Sequence, residues 1–338
     1  MNKVKVGVIG CGYWGPNLIR NFIELPGSTV KVVCDLREER LNHVKNCYPQ
    51  VHTTQSLDEF FSMDLDAAVV ATPPATHYDI ATQCLRNGLN VLVEKPLALN
   101  SVHAQAMTDL AKEVSKILMV GHTFIYNPAV QYLRKLIQDG ELGHIYYVDT
   151  VRVNLGLFQP SLNTLWDLAP HDISILSYIL DSLPQTVVAQ GTSCVFEGVH
   201  DIVYMNIVYP GNVLAHVHVS WLDPCKVRRI TVVGSKKMVV YDDIEPTEKI
   251  KIFDKSIEAP PYTDSFHDFK CFYHYGDVVI PNIPGTEPLK LECGHFIDCI
   301  VKGEQPKSDG AAGVEVIRIL EAAQKSLTNG WGKEKIEW

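Results

Sequence analysis

The chain opens on residues whose types and spacing suit the binding of a dinucleotide. VKVGVIGCGYWG, Val4 to Gly15, is a β-branched run that breaks into glycines at Gly10, Gly12 and Gly15. A buried parallel strand reads as Val/Ile-rich; the first glycine then allows a tight turn, the second lets the backbone approach a pyrophosphate, and the third lets the next helix pack close to the sheet. Tyr13 and Trp14 complete the loop, and the anion would rest on the free N–H groups of the helix that follows. Leu18, Ile19, Phe22 and Ile23 keep helical period after Gly15, and a second strand over Val30 to Cys34 ends in Asp35, 20 residues past Gly15. An acid at that distance meets the adenosine ribose. It accepts hydrogen bonds from both hydroxyls and repels a 2′-phosphate, which favours NAD. Arg37, two residues on, would pair with such a phosphate and keeps NADP open as the alternative.

A dinucleotide loop works only on a sheet that holds it, and the first third of the chain alternates accordingly. Strands are expected over Val4 to Ile9, Val30 to Cys34, Ala67 to Ala71, Asn90 to Val93 and Ile117 to Val120. Helices are expected near Pro16 to Leu25, Ser56 to Phe61, Thr76 to Arg86 and Ser101 to Val114. The pattern predicts an α/β, Rossmann-type doubly wound parallel sheet over residues 1–122, with the loops at Gly10, Asp35, Thr72 and Glu94 on one rim beyond the carboxyl ends of the strands. From 123 to 338 the pattern changes to a helix near Pro128 to Gln138, a strand over Ile145 to Val153 and a helix over Pro170 to Leu180. Alternating stretches follow at Thr186 to Phe196, Ile202 to Tyr209, Val213 to Trp221 and Arg228 to Tyr241. Short turns such as Pro210-Gly211 imply a mostly antiparallel open sheet in an α+β domain, one face packed on helices and the other open to a second subunit. The Pro-, Gly- and aromatic-rich stretch Ala259 to Pro288 reads as an extended arm.

Composition narrows the partners. A net charge of −9 argues against nucleic acid or an anionic membrane as the main partner. No apolar run approaches the roughly 20 residues that span a bilayer, and the strand that begins near the N-terminus leaves no room for a secretion signal, so the cytoplasm is the expected location. The 9 cysteines form no CxxC pair and read as reduced thiols. Cys293, His295 and Cys299, and the pair His216 and His218, lack the partner spacing of a tetrahedral site, so no metal is expected.

Three further segments carry a resemblance. ATPPATH (Ala71 to His77) ends one strand, VEKPLA (Val93 to Ala98) ends the next, and LWDLAPHDISIL (Leu165 to Leu176) opens a helix. In the order strand, glycine loop, AxPPxxH, EKP and DxxxH, the chain resembles the glucose-fructose oxidoreductase, inositol dehydrogenase and rhizopine-catabolism (Gfo/Idh/MocA) family. The likeness runs over nearly its whole length, including the ending HFIDCIVKGEQPKSDGAAGVEVIRILEAAQKS. The resemblance implies hydride transfer between nicotinamide and a sugar or polyol carbon, with Lys95 as the catalytic lysine and Asp167 and His171 as the acid and histidine of DxxxH. It also implies that Pro96 fixes the turn presenting Lys95, with a cis bond, that Glu94 lies near the nicotinamide ribose, and that Thr72, Pro73 and His77 contact the cofactor. Removing a hydride from a secondary alcohol also removes a proton. His171 suits the base that takes it, and Lys95 the cation that steadies the developing alkoxide or relays the proton.

Placed just after Pro170 at a helix start, His171 would be held neutral by the positive helix end. Asp167 either lies beside it on one continuous helix or caps the helix that Pro170 begins. Lys95, Asp167 and His171 are also expected to touch substrate. Tyr126, Asn127 and Arg152 are expected to do so too, with His122, Trp166 and the loop around Asn154, Gln159 and Asn163, because sugar hydroxyls need matching donors and acceptors. Trp166 and Pro170 stand where many relatives carry glycines, which leaves the sugar open. The expected activity is that of an NAD(P)-dependent oxidoreductase acting on a secondary alcohol or ketone of a sugar, including a nucleotide-linked one, in a homodimer or homotetramer formed through the C-terminal sheet. The alternatives are a polyol (inositol-type) dehydrogenase, an enzyme that keeps its nicotinamide bound between two substrates, and a regulator of the same fold that senses a dinucleotide without catalysis.

Overall fold

The computed structural model describes residues 3–158, 162–258 and 271–338. The chain divides into two compact units, Met1–Tyr126 with Thr286–Arg318, and Asn127–Gly285 with Ile319–Trp338. The return of 286–318 to the first unit is absent from the single division near residue 122 expected from sequence.

The first unit is built from β1 (Val4–Ile9), α1 (Gly15–Glu24), β2 (Ser28–Cys34), α2 (Glu38–Cys47), β3 (His52–Thr54), α3 (Leu57–Ser62), β4 (Ala67–Val70), α4 (His77–Arg86), β5 (Asn90–Glu94), α5 (Ser101–Glu113) and β6 (Leu118–Gly121). Its six strands run parallel in the order β3-β2-β1-β4-β5-β6. This is the doubly wound order, in which the order of the strands reverses between β1 and β4 and ligands gather beyond the strands' carboxyl ends. The β-branched runs form strands because both sheet faces are covered: Val6, Val8, Val32, Val69, Val70, Val91 and Val93 are all fully buried. Helix α1 buries Leu18, Ile19 and Phe22, and Phe22 meets Phe296 edge-on at 6.3 Å. A side chain of that size contributes roughly 1.5–3 kcal/mol on burial. Two elements fall outside the sequence expectation. Strand β3 is a three-residue HTT with no apolar run, and α2 buries only Leu41 and Val44, so neither has the periodicity that marks its neighbours.

The second unit contains α6 (Pro128–Gln138), β7 (Ile145–Val153), α7 (Thr164–Leu180), β8 (Thr186–Thr192), β9 (Ile202–Tyr209), β10 (Val213–Ser220), β11 (Val227–Gly234), β12 (Met238–Asp242), β13 (Ile250–Glu258) and β14 (Phe272–Val279). Helix α8 (Pro288–Lys302) then belongs to the first unit, α9 (Gly310–Thr328) spans the division at residue 318, and β15 (Glu334–Lys335) ends the second unit's sheet. That sheet has nine strands in the order β14-β13-β12-β11-β7-β10-β9-β8-β15, antiparallel except for the parallel pair β7 and β10. The stretch read as one strand over Arg228 to Tyr241 is a hairpin, β11 and β12, and the stretch Thr186 to Phe196 ends as a strand at Thr192. Residues 259–270 of the arm expected over 259–288 lie outside the described residues, and Phe272–Val279 forms the edge strand β14.

Alternation decides the faces of this sheet. Along β9, Val203, Met205, Ile207 and Tyr209 are buried while Tyr204 and Asn206 are exposed. The buried side packs on α7, and the open side carries Tyr204 stacked on His218 at 4.3 Å, with His216 beside them.

Candidate active site

The glycine loop has the shape its spacing predicts. Gly10 has φ +99°, and a Cβ there would lie 2.5 Å from the Ala71 carbonyl oxygen. At Gly15 a Cβ would lie 2.2 Å from the Gly10 carbonyl oxygen, so only glycine lets α1 start this close to the turn. Gly12 differs: the nearest atom to its would-be Cβ is Arg40 Nη1 at 3.5 Å, and its bare side leaves room for a ligand to reach the backbone. Trp14 stands at the N-cap of α1 without a side-chain capping bond, and the first turn has no acidic residue. Those N–H groups and the helix dipole fit a pyrophosphate. Tyr13, strongly exposed, stacks on Trp14 at 6.2 Å.

Asp35 closes the same loop. Its Oδ2 accepts the Cys11 N–H at 2.6 Å and its Oδ1 accepts the Arg37 N–H at 2.9 Å, which holds the carboxylate rigidly at the end of β2. Arg37 Nε lies 3.5 Å from the same Oδ1 and its side chain is half exposed, while Arg40 Nη1 donates to the Cys11 carbonyl at 2.8 Å. An acid so placed suits the ribose hydroxyls of NAD.

Beyond β4 and β5 the rim is cross-linked by His77. Its Nδ1 lies 2.9 Å from the Pro96 carbonyl and its Nε2 2.8 Å from the Thr72 carbonyl. Burial holds its pKa below the usual value, and a neutral imidazole has one N–H, so it donates to one of the two carbonyls at a time, according to the tautomer. Both nitrogens of His77 therefore face the protein rather than a cofactor, and the residue ties the Thr72-Pro73 turn to the turn that presents Lys95. The Lys95–Pro96 peptide is cis.

Around Lys95 the charges are buried. Glu94 is buried at the end of β5, where desolvation pushes its carboxyl up to about 8 despite the opposing pull of Lys95. Its Oε2 accepts the Lys95 N–H at 3.3 Å, and Gly121 leaves the space beside it, since a Cβ there would approach that oxygen to 3.1 Å. His122 is buried as well, and desolvation and then Lys95 push its imidazole down to about 4. A third acid comes from α8: Glu292 is 0% exposed and accepts the Thr123 hydroxyl at 2.8 Å. Burial first, and Glu94 second, hold its pKa well above the carboxylate range. Sequence reasoning passed over Glu292. The signal was an acid on the same helical stripe as the buried Leu289, Cys293 and Phe296.

In the second unit, Asp167 and His171 lie four residues apart on one continuous helix. Helix α7 starts at Thr164, not at Pro170, and its N-cap is Asn163, whose side chain accepts the Trp166 N–H at 3.2 Å. Pro170 lies inside the helix. His171 is thus the eighth helical residue, beyond the first turn in which the dipole acts, and the expected neutralisation by the helix start does not apply to it. Asp167 is not the cap; its Oδ2 accepts the Trp221 indole N–H at 3.1 Å.

Three residues expected to meet substrate turn their polar groups toward protein. Tyr126 is buried in the first unit with its hydroxyl 3.0 Å from Ser308 Oγ. Asn127 caps α6 by accepting the Ala129 N–H at 2.9 Å and donates to the Tyr241 hydroxyl at 3.0 Å. Arg152 is buried and donates from Nε and Nη2 to Asp172 at 2.6 and 3.2 Å, joining β7 to α7 next to His171. Asn163 also donates to Gln324 at 2.9 Å. Gln159 lies outside the described residues.

A parallel sheet in this order, a glycine turn leading into an uncapped helix, and an acid closing the second strand define an NAD-binding Rossmann protein. The chain belongs to the GFO/IDH/MocA oxidoreductases. The family described as "Oxidoreductase family, NAD-binding Rossmann fold" matches residues 4–122, and the GFO/IDH/MocA C-terminal domain matches residues 130–240. The UDP-N-acetylglucosamine 3-dehydrogenase of Acidithiobacillus ferrooxidans is 25% identical over 330 residues, 94% of this chain and 95% of that protein. An uncharacterized oxidoreductase of Streptococcus pneumoniae is 28% identical over 229 residues, which span 61% of this chain and 59% of that protein. The structure of GenD2 from gentamicin A biosynthesis, in complex with NAD, has the same fold, with a TM-score of 0.84 at 22% identity over 100% of this chain and 97% of its own.

Proposed function

We propose that this protein oxidises a secondary hydroxyl of a sugar, or reduces the matching ketone, and that a nucleotide-linked sugar is its substrate. One observation carries the reading. Lys95 follows β5, the neighbour of β4, which neighbours β1, and because all three run parallel their carboxyl ends lie on one edge of the sheet with the glycine loop. A lysine on the edge where a dinucleotide binds is placed for chemistry at the nicotinamide. NAD, when bound, accepts or returns the hydride. Gly10, Gly12, Gly15, Tyr13 and Trp14 hold the pyrophosphate, Asp35 the adenosine ribose with Arg37 beside it, and Thr72, Pro73 and Glu94 the nicotinamide half. Lys95 steadies the oxygen as its proton leaves, His171 takes that proton, and Asp167, one helical turn away, orients the imidazole. The dehydrogenase relative acting on UDP-N-acetylglucosamine supports the sugar-nucleotide class.

The test is NADH formation across a panel of sugar nucleotides, free sugars and polyols, with wild type and Lys95→Ala compared. Turnover confined to sugar nucleotides and abolished in the variant, with NADH binding intact, is the expected result. Unchanged turnover in Lys95→Ala refutes the mechanism. Silence of the wild type across the panel with NADH still bound supports the regulator instead. The open sheet face bearing Tyr204, His216 and His218 is proposed as the contact of a homo-oligomer.

A further inference from the structure

Trp221 is the first residue past β10 and the largest of the fully buried side chains, at 1% exposure. An indole has one polar atom, and a buried indole N–H finds a partner. Here the partner is the Asp167 carboxylate, Oδ2 at 3.1 Å, so the single donor of a strand-end tryptophan is directed at the acid of the DxxxH pair. The ring has little freedom to point elsewhere. The Trp221 backbone N–H donates to the Asp201 carbonyl and its carbonyl accepts the Gly156 N–H, each at 2.9 Å. Phe158 lies against the ring at 5.4 Å, and Gly156 packs so closely that a Cβ there would come to 2.6 Å from Trp221 Cδ1. Asp201 is itself locked, accepting the Cys194 and Val195 N–H groups at 2.8 and 2.9 Å.

We propose that Trp221 is a positioning residue for the oxidoreductase reaction, acting through Asp167. Its indole N–H fixes one oxygen of the carboxylate, and the acid's orientation is passed to His171 one turn further along α7. The inference rests on the role given above to the Asp167 and His171 pair. A hydrogen bond to an ionised acceptor is stronger than one between neutral groups, and the outer hydrogen-bond partners that orient metal ligands, which act on a side chain in the same way, change affinity or activity by ten- to a hundredfold when mutated. Phenylalanine fills most of the indole volume without the donor, which separates positioning from packing.

The experiment is a double-mutant cycle with Trp221→Phe, Asp167→Asn and the double variant, using the substrate found in the panel and reading kcat, KM for NAD and NADH affinity. Trp221→Phe is expected to lower kcat about tenfold while KM for NAD and NADH affinity stay within about twofold. Asp167→Asn is expected to lower kcat further, and the double variant to be no worse than Asp167→Asn, because the indole acts only through that carboxylate. Full kcat in Trp221→Phe, or losses that multiply in the double variant, overturns the proposal. Full kcat in Asp167→Asn overturns the catalytic pair itself and with it the functional reading. If Trp221→Phe does not fold, Gly156→Ala, whose methyl displaces the indole from the acid, takes its place in the cycle with the same expected coupling and the same refutation.

Discussion

Glu94 makes the stability of the first unit fall as pH rises, and the size of the effect follows from its burial. Its folded pKa is about 8, against about 4.3 in an unfolded chain, so between those values the folded protein binds one more proton than the unfolded one. Stability then declines with rising pH by about 1.4 kcal/mol per unit. His122 acts in the opposite sense. Its pKa of about 4 lies below the unfolded value, so it contributes stability that is lost as pH falls from about 6.5 toward 4. Through the overlapping range, roughly pH 4.5 to 6.5, the two slopes offset, while from 6.5 to 8 Glu94 acts alone of the two and removes about 2 kcal/mol. Burial of Glu292 adds to the decline above the carboxylate range, and that of His77 adds to the fall on the acid side.

The perturbation is Glu94→Gln, which keeps the size of the side chain and cannot ionise. Urea unfolding of wild type and variant at half-unit steps from pH 6.5 to 8 is the assay. The wild type is expected to lose about 2 kcal/mol more than the variant across that range. Parallel curves from pH 6.5 to 8 would refute the reasoning, because they would mean that Glu94 ionises well below neutrality despite its burial.

Asp172→Ala leaves the Arg152 guanidinium buried beside α7 without its bidentate partner and is expected to cost about 3–5 kcal/mol in chemical denaturation; Arg152→Met with Asp172→Leu, which removes both charges, should cost far less. Tyr204→Glu places a charge on the open sheet face and should shift sedimentation toward monomer while leaving the melting temperature of the isolated fold nearly unchanged; an unaltered sedimentation profile would remove that face as the subunit contact.

Local pattern made the first half of the site legible. Gly10 and Gly15 are each required by backbone a short way off, and Asp35 closes onto the Cys11 N–H of the same loop, so their spacing alone carries the shape of the loop. Contacts between distant segments were illegible. The Tyr126 hydroxyl meets Ser308, 182 positions away, and Glu292 reaches Thr123 across 169, distances at which no periodicity speaks. Arg152 alternates inward on β7 as polar residues near a site do, but its inward course ends on Asp172, and only the packing of α7 on the sheet reveals that. The split of Arg228 to Tyr241 into a hairpin is illegible in the sequence because the turn at Ser235 to Lys237 contains neither proline nor an Asn-Gly pair.

Pro170 shows how local propensity loses to burial, and what that does to the site. An interior proline removes one helical hydrogen bond and costs about 3 kcal/mol, here leaving the Trp166 carbonyl without the amide four residues on. Helix α7 nonetheless runs unbroken, because Leu165, Ile173, Leu176 and Ile179 bury themselves against the sheet and each contributes roughly 1.5–3 kcal/mol. Continuity has two chemical consequences. It sets Asp167 and His171 one turn apart on the same face, the spacing at which helical side chains interact. It also moves the positive helix end away from His171 and onto Asp167, the acid of the first turn, so the dipole strengthens the anchoring of the carboxylate that Trp221 already holds. The base role proposed for His171 therefore rests on that carboxylate and on its surroundings rather than on the start of the helix.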